Sequence, residues 1–131
     1  MFIRFTTQFI NEKNENETGV FMATGFLIRS EQMYKHDEKW LKEIREWFNK
    51  NLEKPSRFST SQKKYASKVS LSWYKNSAIE HIKRMYDMKE VLEKYDLVVT
   101  VLKRKNPGVI VFEDEFQVST IPFKPDRKKV K

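Results

Sequence analysis

The chain has 131 residues, of which 39% are hydrophobic, 14% are aromatic and none is cysteine. This length suits one domain that buries roughly two-thirds of the surface of its unfolded chain. The lack of cysteine excludes disulfides, thiolate nucleophiles and thiolate metal sites. With only three glycines, Gly19, Gly25 and Gly108, neither glycine-rich nucleotide-binding fingerprint can be built.

Positive charge is in excess and is unevenly distributed. Lysine and arginine outnumber aspartate and glutamate by 26 to 18, which gives a formal net charge of +8. The stretch from Lys54 to Ile79 contains no acidic residue. Concentrated charge of one sign attracts an anionic partner or keeps a loop solvated. A sequence pI of about 9.6 suits nucleic acid, an anionic membrane surface and an acidic protein equally.

No targeting or membrane-spanning segment is predicted. The first ten residues lack a basic region followed by an unbroken apolar run, and no later window approaches the ~20 apolar residues of a membrane helix. The sequence is therefore expected to be soluble and cytoplasmic.

The first elements are a strand and a helix. Ile3, Phe5, Thr7 and Phe9 alternate with more polar neighbours, the period of a half-buried strand. Residues 11–17 are polar and read as an exposed loop. Residues 18–30 fit either a helix with Thr18 as its N-cap, which we favour, or a strand that pairs with the first one. In the helix, Gly25 would cost about 1 kcal/mol relative to alanine.

The clearest helix spans residues 36–52, where apolar side chains recur at helical spacing. Its stripe includes Trp40 and Trp47, which we interpret as core anchors and not as a base-stacking platform. Pro55 ends it, and residues 55–68 form a long basic loop, a length that is usually functional or disordered. Apolar and polar side chains alternate over residues 69–74, which predicts a short strand.

A second amphipathic helix begins at Ser77, because Ser77 and Glu80 have the spacing of a capping box. Its apolar face consists of Ala78, Ile82, Met85, Met88, Leu92 and Tyr95, widened by Ile79 and Tyr86. His81 lies beside that face and reads as a border residue, since no second ligand occurs at metal-site spacing.

Three strands follow. Residues 97–102 are apolar on both faces and predict an interior strand. A turn with Pro107 and Gly108 is predicted at residues 103–108. Two further strands are predicted at residues 109–112 and 116–121. The tail, 124–131, is basic and expected to be disordered. The expected fold is α+β, a two-layer sandwich in the order β-α-α-loop-α-β-β-β, within a single domain over residues 1–123.

The region from Trp73 to Phe123 resembles a group of small uncharacterised bacterial proteins. Two stretches carry the resemblance, Trp73-Tyr-Lys-Asn-Ser-Ala-Ile-Glu-His81 and Val111-Phe-Glu-Asp-Glu-Phe-Gln-Val118. The resemblance implies a bacterial domain and no particular activity.

The leading hypothesis is a non-enzymatic binding or regulatory domain that engages an anionic partner, nucleic acid or acidic protein, without a cofactor. Its candidate residues would form one electrostatic surface, with Phe58, Tyr65 and Trp73 available for stacking. Scattered, solvated lysines remain the alternative. The candidates are Arg57, Lys63, Lys64, Lys68, Trp73, Lys75, Lys103, Arg104 and Lys105.

Two alternative functions stay open. Glu113, Asp114 and Glu115 are weak candidates for a Mg²⁺ site in a small phosphodiesterase or nuclease, although three acids between two apolar strands are typical of a solvated hairpin turn. The other alternative is a homo-oligomeric interaction module that uses a sheet edge or an exposed aromatic patch.

Overall fold

The structure is a computed structural model that describes residues 1–55 and 70–123. The class and element order are confirmed: the fold is α+β, with three described helices and a mostly antiparallel five-stranded sheet. Three strands add to the order β-α-α-loop-α-β-β-β, namely Gln8–Ile10, Asn16–Thr18 and Leu71–Lys75, and the last of them is the short strand predicted at residues 69–74. In chain order the elements are β1 (Phe2–Thr6), β2 (Gln8–Ile10), β3 (Asn16–Thr18), α1 (Val20–Ser30), α2 (Lys35–Asn51), β4 (Leu71–Lys75), α3 (Ile79–Lys94), β5 (Thr100–Arg104), β6 (Val109–Glu113) and β7 (Gln117–Ile121).

The five strands lie in the order β5-β1-β4-β7-β6, and β2 pairs with β3 in a separate ribbon. Antiparallel pairing sets Ile3 opposite Tyr74 and Trp73 opposite Val118. The predicted interior strand over residues 97–102 is wrong, because β5 begins at Thr100 and is an end strand of the described sheet. Val98, which made that segment look buried, is 73% exposed.

The chain divides into two compact units. Unit 1 comprises Met1–Arg4, Glu53–Ile79 and Lys103–Lys131, and unit 2 comprises Phe5–Leu52 and Glu80–Leu102. The single domain over residues 1–123, and the packing of the helices against one face of the sheet, stay predictions. The basic loop predicted at 55–68 lies, apart from Pro55, outside the described residues, as does the tail at 124–131.

The core of unit 2 is built from helix stripes. On α2 the buried residues are Asp37, Leu41, Ile44 and Phe48, spaced at four, three and four residues. The predicted role of both tryptophans as core anchors is wrong: Trp40 is 37% exposed and Trp47 is half-buried. Each tryptophan lies one residue, about 100° of helical rotation, from a buried position, which puts it on the flank of the stripe.

The favoured helix over residues 18–30 is present as α1, with its buried face on Val20, Ala23, Thr24 and Leu27. The Thr18 N-cap is wrong, since Gly19 is the N-cap and Thr18 belongs to β3. Residues 16–17, predicted as part of a loop, also belong to β3. Asn11 closes the hairpin because its Oδ1 accepts hydrogen bonds from the backbone N–H groups of Lys13 and Glu15 at 2.9 and 3.0 Å.

The helix predicted from Ser77 begins at Ile79. Its buried residues are His81, Met85, Met88, Val91 and Leu92. His81, predicted to border the apolar face, is 3% exposed and lies on it, whereas Ile79 is 72% exposed and does not widen that face. The whole buried surface of α3 is therefore rotated slightly from the predicted one, toward His81 and Val91.

The core of unit 1 is centred on β7, every residue of which is buried. The predicted turn before β6 is shorter than expected, because Lys103 and Arg104 still belong to β5. Gly108 adopts φ 138°, and a Cβ there would collide with the carbonyl oxygen of Ile121. Only glycine tolerates both constraints, which explains the turn signal at this position.

Candidate functional site

All nine candidate residues for an anionic partner fall within the ranges of unit 1. Four of them, Arg57, Lys63, Lys64 and Lys68, lie outside the described residues. The other five, Trp73, Lys75, Lys103, Arg104 and Lys105, have defined environments.

Trp73 is the candidate that the structure places furthest from solvent. It stands in β4, between β1 and β7, and is 5% exposed. Its Nε1 is buried and has no hydrogen-bond acceptor among the described residues. A ring enclosed in this way offers no open face to a nucleic-acid base, so Trp73 contributes to the core of unit 1 instead.

Lys75 is partly neutralised within the chain. Its Nζ lies 2.6 Å from Glu113 Oε2, and its side chain is 25% exposed. A salt bridge of this kind holds the lysine in one geometry and reduces the charge that an outside partner meets. Lys75 is therefore a weaker candidate for binding an anion than an unpaired lysine.

Lys103, Arg104 and Lys105 form the described basic surface of unit 1. All three are exposed, the first two at the end of β5 and the third just after it. No carboxylate of the described residues lies within salt-bridge distance of them. Adjacent strand residues point to opposite faces, so Lys103 and Arg104 extend the positive charge around this end strand.

The acidic cluster is a hairpin turn between β6 and β7. Asp114 Oδ1 accepts hydrogen bonds from the backbone N–H groups of Phe116 and Gln117 at 2.8 and 3.0 Å. Asp114 Oδ2 accepts one from Gln117 Nε2 at 3.1 Å. These bonds occupy the oxygens that a cation would need. Within residues 1–55 and 70–123, no group of three or more His, Asp or Glu side chains is arranged to hold a metal ion. The alternative function as a small phosphodiesterase stays a prediction, and no contact among the described residues favours it.

Gln117 ties this turn to the chain that leaves α2. Its buried side chain donates from Nε2 to the backbone carbonyl of Glu53 at 2.6 Å as well as to Asp114 Oδ2. Sequence reasoning missed Gln117. The available signal was the one side-chain amide of the predicted strand 116–121, because an amide must find hydrogen-bond partners when it is buried.

The described residues carry no net charge. Residues 1–55 and 70–123 together contain 17 Lys and Arg and 17 Asp and Glu. The whole net charge of +8 therefore belongs to residues 56–69 and 124–131. By unit, unit 1 contains 15 basic and five acidic residues, whereas unit 2 contains 11 and 13.

Unit 2 contains a polar network that sequence reasoning did not find. The carboxylate of Asp37 accepts a hydrogen bond from the Tyr95 hydroxyl at 2.6 Å and pairs with Lys94 Nζ at 2.9 Å. The Tyr95 oxygen in turn accepts the backbone N–H of Tyr34 at 3.0 Å. The bond from Tyr95, followed by that from Lys94, lowers the pKa of Asp37, and the bond to Asp37 raises the pKa of Lys94. An aspartate in register with the α2 stripe was the available signal.

A second cluster lies where the end of α2 meets the start of α3 in unit 2. His81 Nε2 is 2.8 Å from the backbone carbonyl of Asn51, and the His81 ring lies 4.8 Å from that of Trp47. The guanidinium carbon of Arg84 lies 4.3 Å from the centre of the Trp47 ring. The cluster thus combines a ring nitrogen with a fixed partner, a half-buried indole and an arginine.

Comparisons with known proteins do not assign the chain to a family. No family model, curated protein or solved structure matches it. The resemblance of residues 73–123 to small bacterial proteins stays a prediction. In the described part of the chain, no helix combines the length and the hydropathy that a membrane crossing requires.

Proposed function

We propose that this chain is a small non-enzymatic binding domain that engages an anionic partner through the basic residues of unit 1. One observation carries the proposal: the described residues are electrically balanced, and the net charge of +8 lies in residues 56–69 and 124–131. Both segments fall within the ranges of unit 1, together with Lys103, Arg104 and Lys105. A polyanion would therefore meet a local excess of charge and not a diffuse one.

Nucleic acid is the partner to test first, because its binding has a quantitative electrostatic signature. Each phosphate that is neutralised by lysine or arginine releases counterions, so the logarithm of the association constant falls with the logarithm of the salt concentration. The slope is about 0.9 for each phosphate contact on duplex DNA. The buried ring of Trp73 supports recognition of the backbone charge over recognition of bases by that residue.

The experiment compares two triple variants that remove equal charge. Lys63, Lys64 and Lys68 are replaced by alanine in one, and the exposed lysines of unit 2, Lys13, Lys39 and Lys83, in the other. Fluorescence anisotropy with a mixed-sequence DNA duplex is recorded across a salt series. The unit 1 variant should bind more weakly, with a salt slope smaller by about 0.9 for each lost contact, and the unit 2 variant should bind like the wild type.

Two results would contradict the proposal. Absence of salt-sensitive binding by the intact chain, to DNA and to an acidic polypeptide such as polyglutamate, would remove it. Equal weakening by the two triple variants would show that total charge, not unit 1, attracts the anion. Binding to polyglutamate without binding to DNA would assign the acidic-protein form of the same proposal.

A further inference from the structure

Arg84 in unit 2 has a donor without an acceptor. Its Nε is buried, and no hydrogen-bond partner for it exists among the described residues. No described carboxylate lies within salt-bridge distance of its guanidinium. A buried donor without a partner costs about 1–3 kcal/mol. Such groups are rare in folded proteins, and an ordered water, an ion or a bound group can supply the acceptor.

The surroundings of Arg84 hold it in place without using its hydrogen bonds. The contact with the Trp47 ring, 4.3 Å from its centre, is a cation–π interaction that involves charge and no N–H···O bond. Guanidinium carries five N–H donors in a planar fork that matches the two oxygens of a carboxylate or phosphate. The guanidinium of Arg84 is thus held over the Trp47 ring, and its Nε–H makes no hydrogen bond to a described residue.

His81 also contacts the Trp47 ring. A carbonyl oxygen only accepts, so the 2.8 Å contact with Asn51 requires the proton on His81 Nε2. This bond orients the imidazole, which meets the Trp47 ring at 65° with centroids 4.8 Å apart. The side chain of Asn51 makes a further hydrogen bond, in which its Nδ2 donates to the backbone carbonyl of Trp47 at 2.8 Å. The indole that supports Arg84 therefore packs against an imidazole of fixed orientation.

From this geometry we infer that Arg84 is the recognition residue of an oxyanion-binding site in unit 2, with Trp47 as its support. The site takes a carboxylate or a phosphate group, because both present paired oxygens to the fork. The inference goes beyond the proposed function, since it concerns unit 2 and does not depend on the basic residues of unit 1.

The test uses the wild-type chain and the N–H signals of its own side chains. Proton–nitrogen correlation NMR resolves the Nε–H of Arg84, identified by its loss in Arg84→Lys, and the indole N–H of Trp47, identified by its loss in Trp47→Phe. Inorganic phosphate, acetate and chloride are titrated separately at constant ionic strength. Phosphate or acetate should shift both signals along one saturable curve, whereas chloride should not.

Two variants separate the contribution of the paired guanidinium donors from that of the positive charge. Arg84→Lys keeps the positive charge but loses the paired donors, so the affinity read from the Trp47 signal should fall about tenfold. Arg45→Lys, an arginine of α2 that makes no ion pair with a described residue, is the matched control and should titrate like the wild type.

Each outcome decides the inference. Saturation by both anions supports a general oxyanion site, and saturation by one of them assigns the site to phosphate or to carboxylate. The inference is overturned by flat titrations with both anions, by a response to chloride of the same size, or by an unchanged affinity in Arg84→Lys. None of these measurements involves nucleic acid, so failure of this inference and failure of the proposed function are distinguishable.

Discussion

Unit 2 and unit 1 treat their charges differently. In unit 2, acidic residues slightly outnumber basic ones, and five ion pairs between lysine or arginine and a carboxylate join described side chains, among them Asp37 with Lys94. In unit 1, basic residues outnumber acidic ones by 15 to five, and Lys75 with Glu113 is the one ion pair among its described residues. The charges of unit 2 are therefore nearly balanced within the unit, whereas unit 1 keeps a surplus of ten positive charges that its own carboxylates cannot neutralise.

The largest expected effect tests whether apolar burial, not charge, holds unit 2 together. Ile44 is fully buried, so Ile44→Ala should cost about 2–5 kcal/mol of the free energy of unfolding. Trp47 is half-buried on the flank of the same helix, and Trp47→Ala should cost at most about 2 kcal/mol. Urea unfolding of both variants measures the difference. An equal or larger loss for Trp47→Ala would place the stripe on the tryptophan side of α2.

The helical period was readable from sequence, but the centre of the buried stripe was not. The spacing of Leu41, Ile44 and Phe48 predicted α2 correctly, since burial follows periodicity. The prediction for the two tryptophans was wrong because it took hydrophobicity as a sign of full burial. A large amphipathic ring is often only partly buried. The exposure of Trp47 depends on the residues of α3 that pack beside it, His81 and Arg84, and no local pattern contains that contact.

The candidate site was predictable only as a concentration of charge. The acid-free stretch from Lys54 to Ile79 holds six of the 15 basic residues of unit 1, and eight others lie in residues 103–131. The burial of Trp73 was not predictable, because the number of strands flanking β4 depends on pairing with β1 and β7, which are distant in sequence. The same applies to Asp37, whose partners Lys94 and Tyr95 lie more than 50 residues away along the chain.

An intermediate effect tests the paired charges of unit 2. Asp37→Asn removes a carboxylate that receives a hydrogen bond from Tyr95, an ion pair from Lys94 and a 3.4 Å contact from His36. At pH 7 it should cost about 1–2 kcal/mol, typical of hydrogen bonds to a charged group. Urea unfolding across a pH series measures this cost.

The pH dependence of that cost has a defined sign. The folded chain holds the pKa of Asp37 below its ordinary value, first through Tyr95 and then through Lys94. The carboxylate therefore stabilises the fold fully above its unfolded pKa of about 3.9. This contribution is lost as the pH falls through the lowered folded pKa, so the stabilities of wild type and Asp37→Asn should converge in acid.

Glu46→Gln, at an exposed pair with Lys50, is the control and should cost at most about 0.5 kcal/mol throughout. A pH-independent difference for Asp37→Asn would show that its shape, not its charge, matters.

The smallest expected effect tests the unpaired surplus of unit 1. Lys105 is exposed and makes no ion pair with the described residues, so Lys105→Ala should change the free energy of unfolding by no more than about 0.5 kcal/mol. Lys94→Ala is the matched variant in unit 2, and it should lower the urea midpoint further because it leaves the Asp37 carboxylate without its cation. If Lys105→Ala lowers the midpoint as much as Lys94→Ala, Lys105 has a carboxylate partner within the chain. Lys105 would then be neutralised within the chain and would no longer count among the unpaired charges that an anionic partner can meet in unit 1.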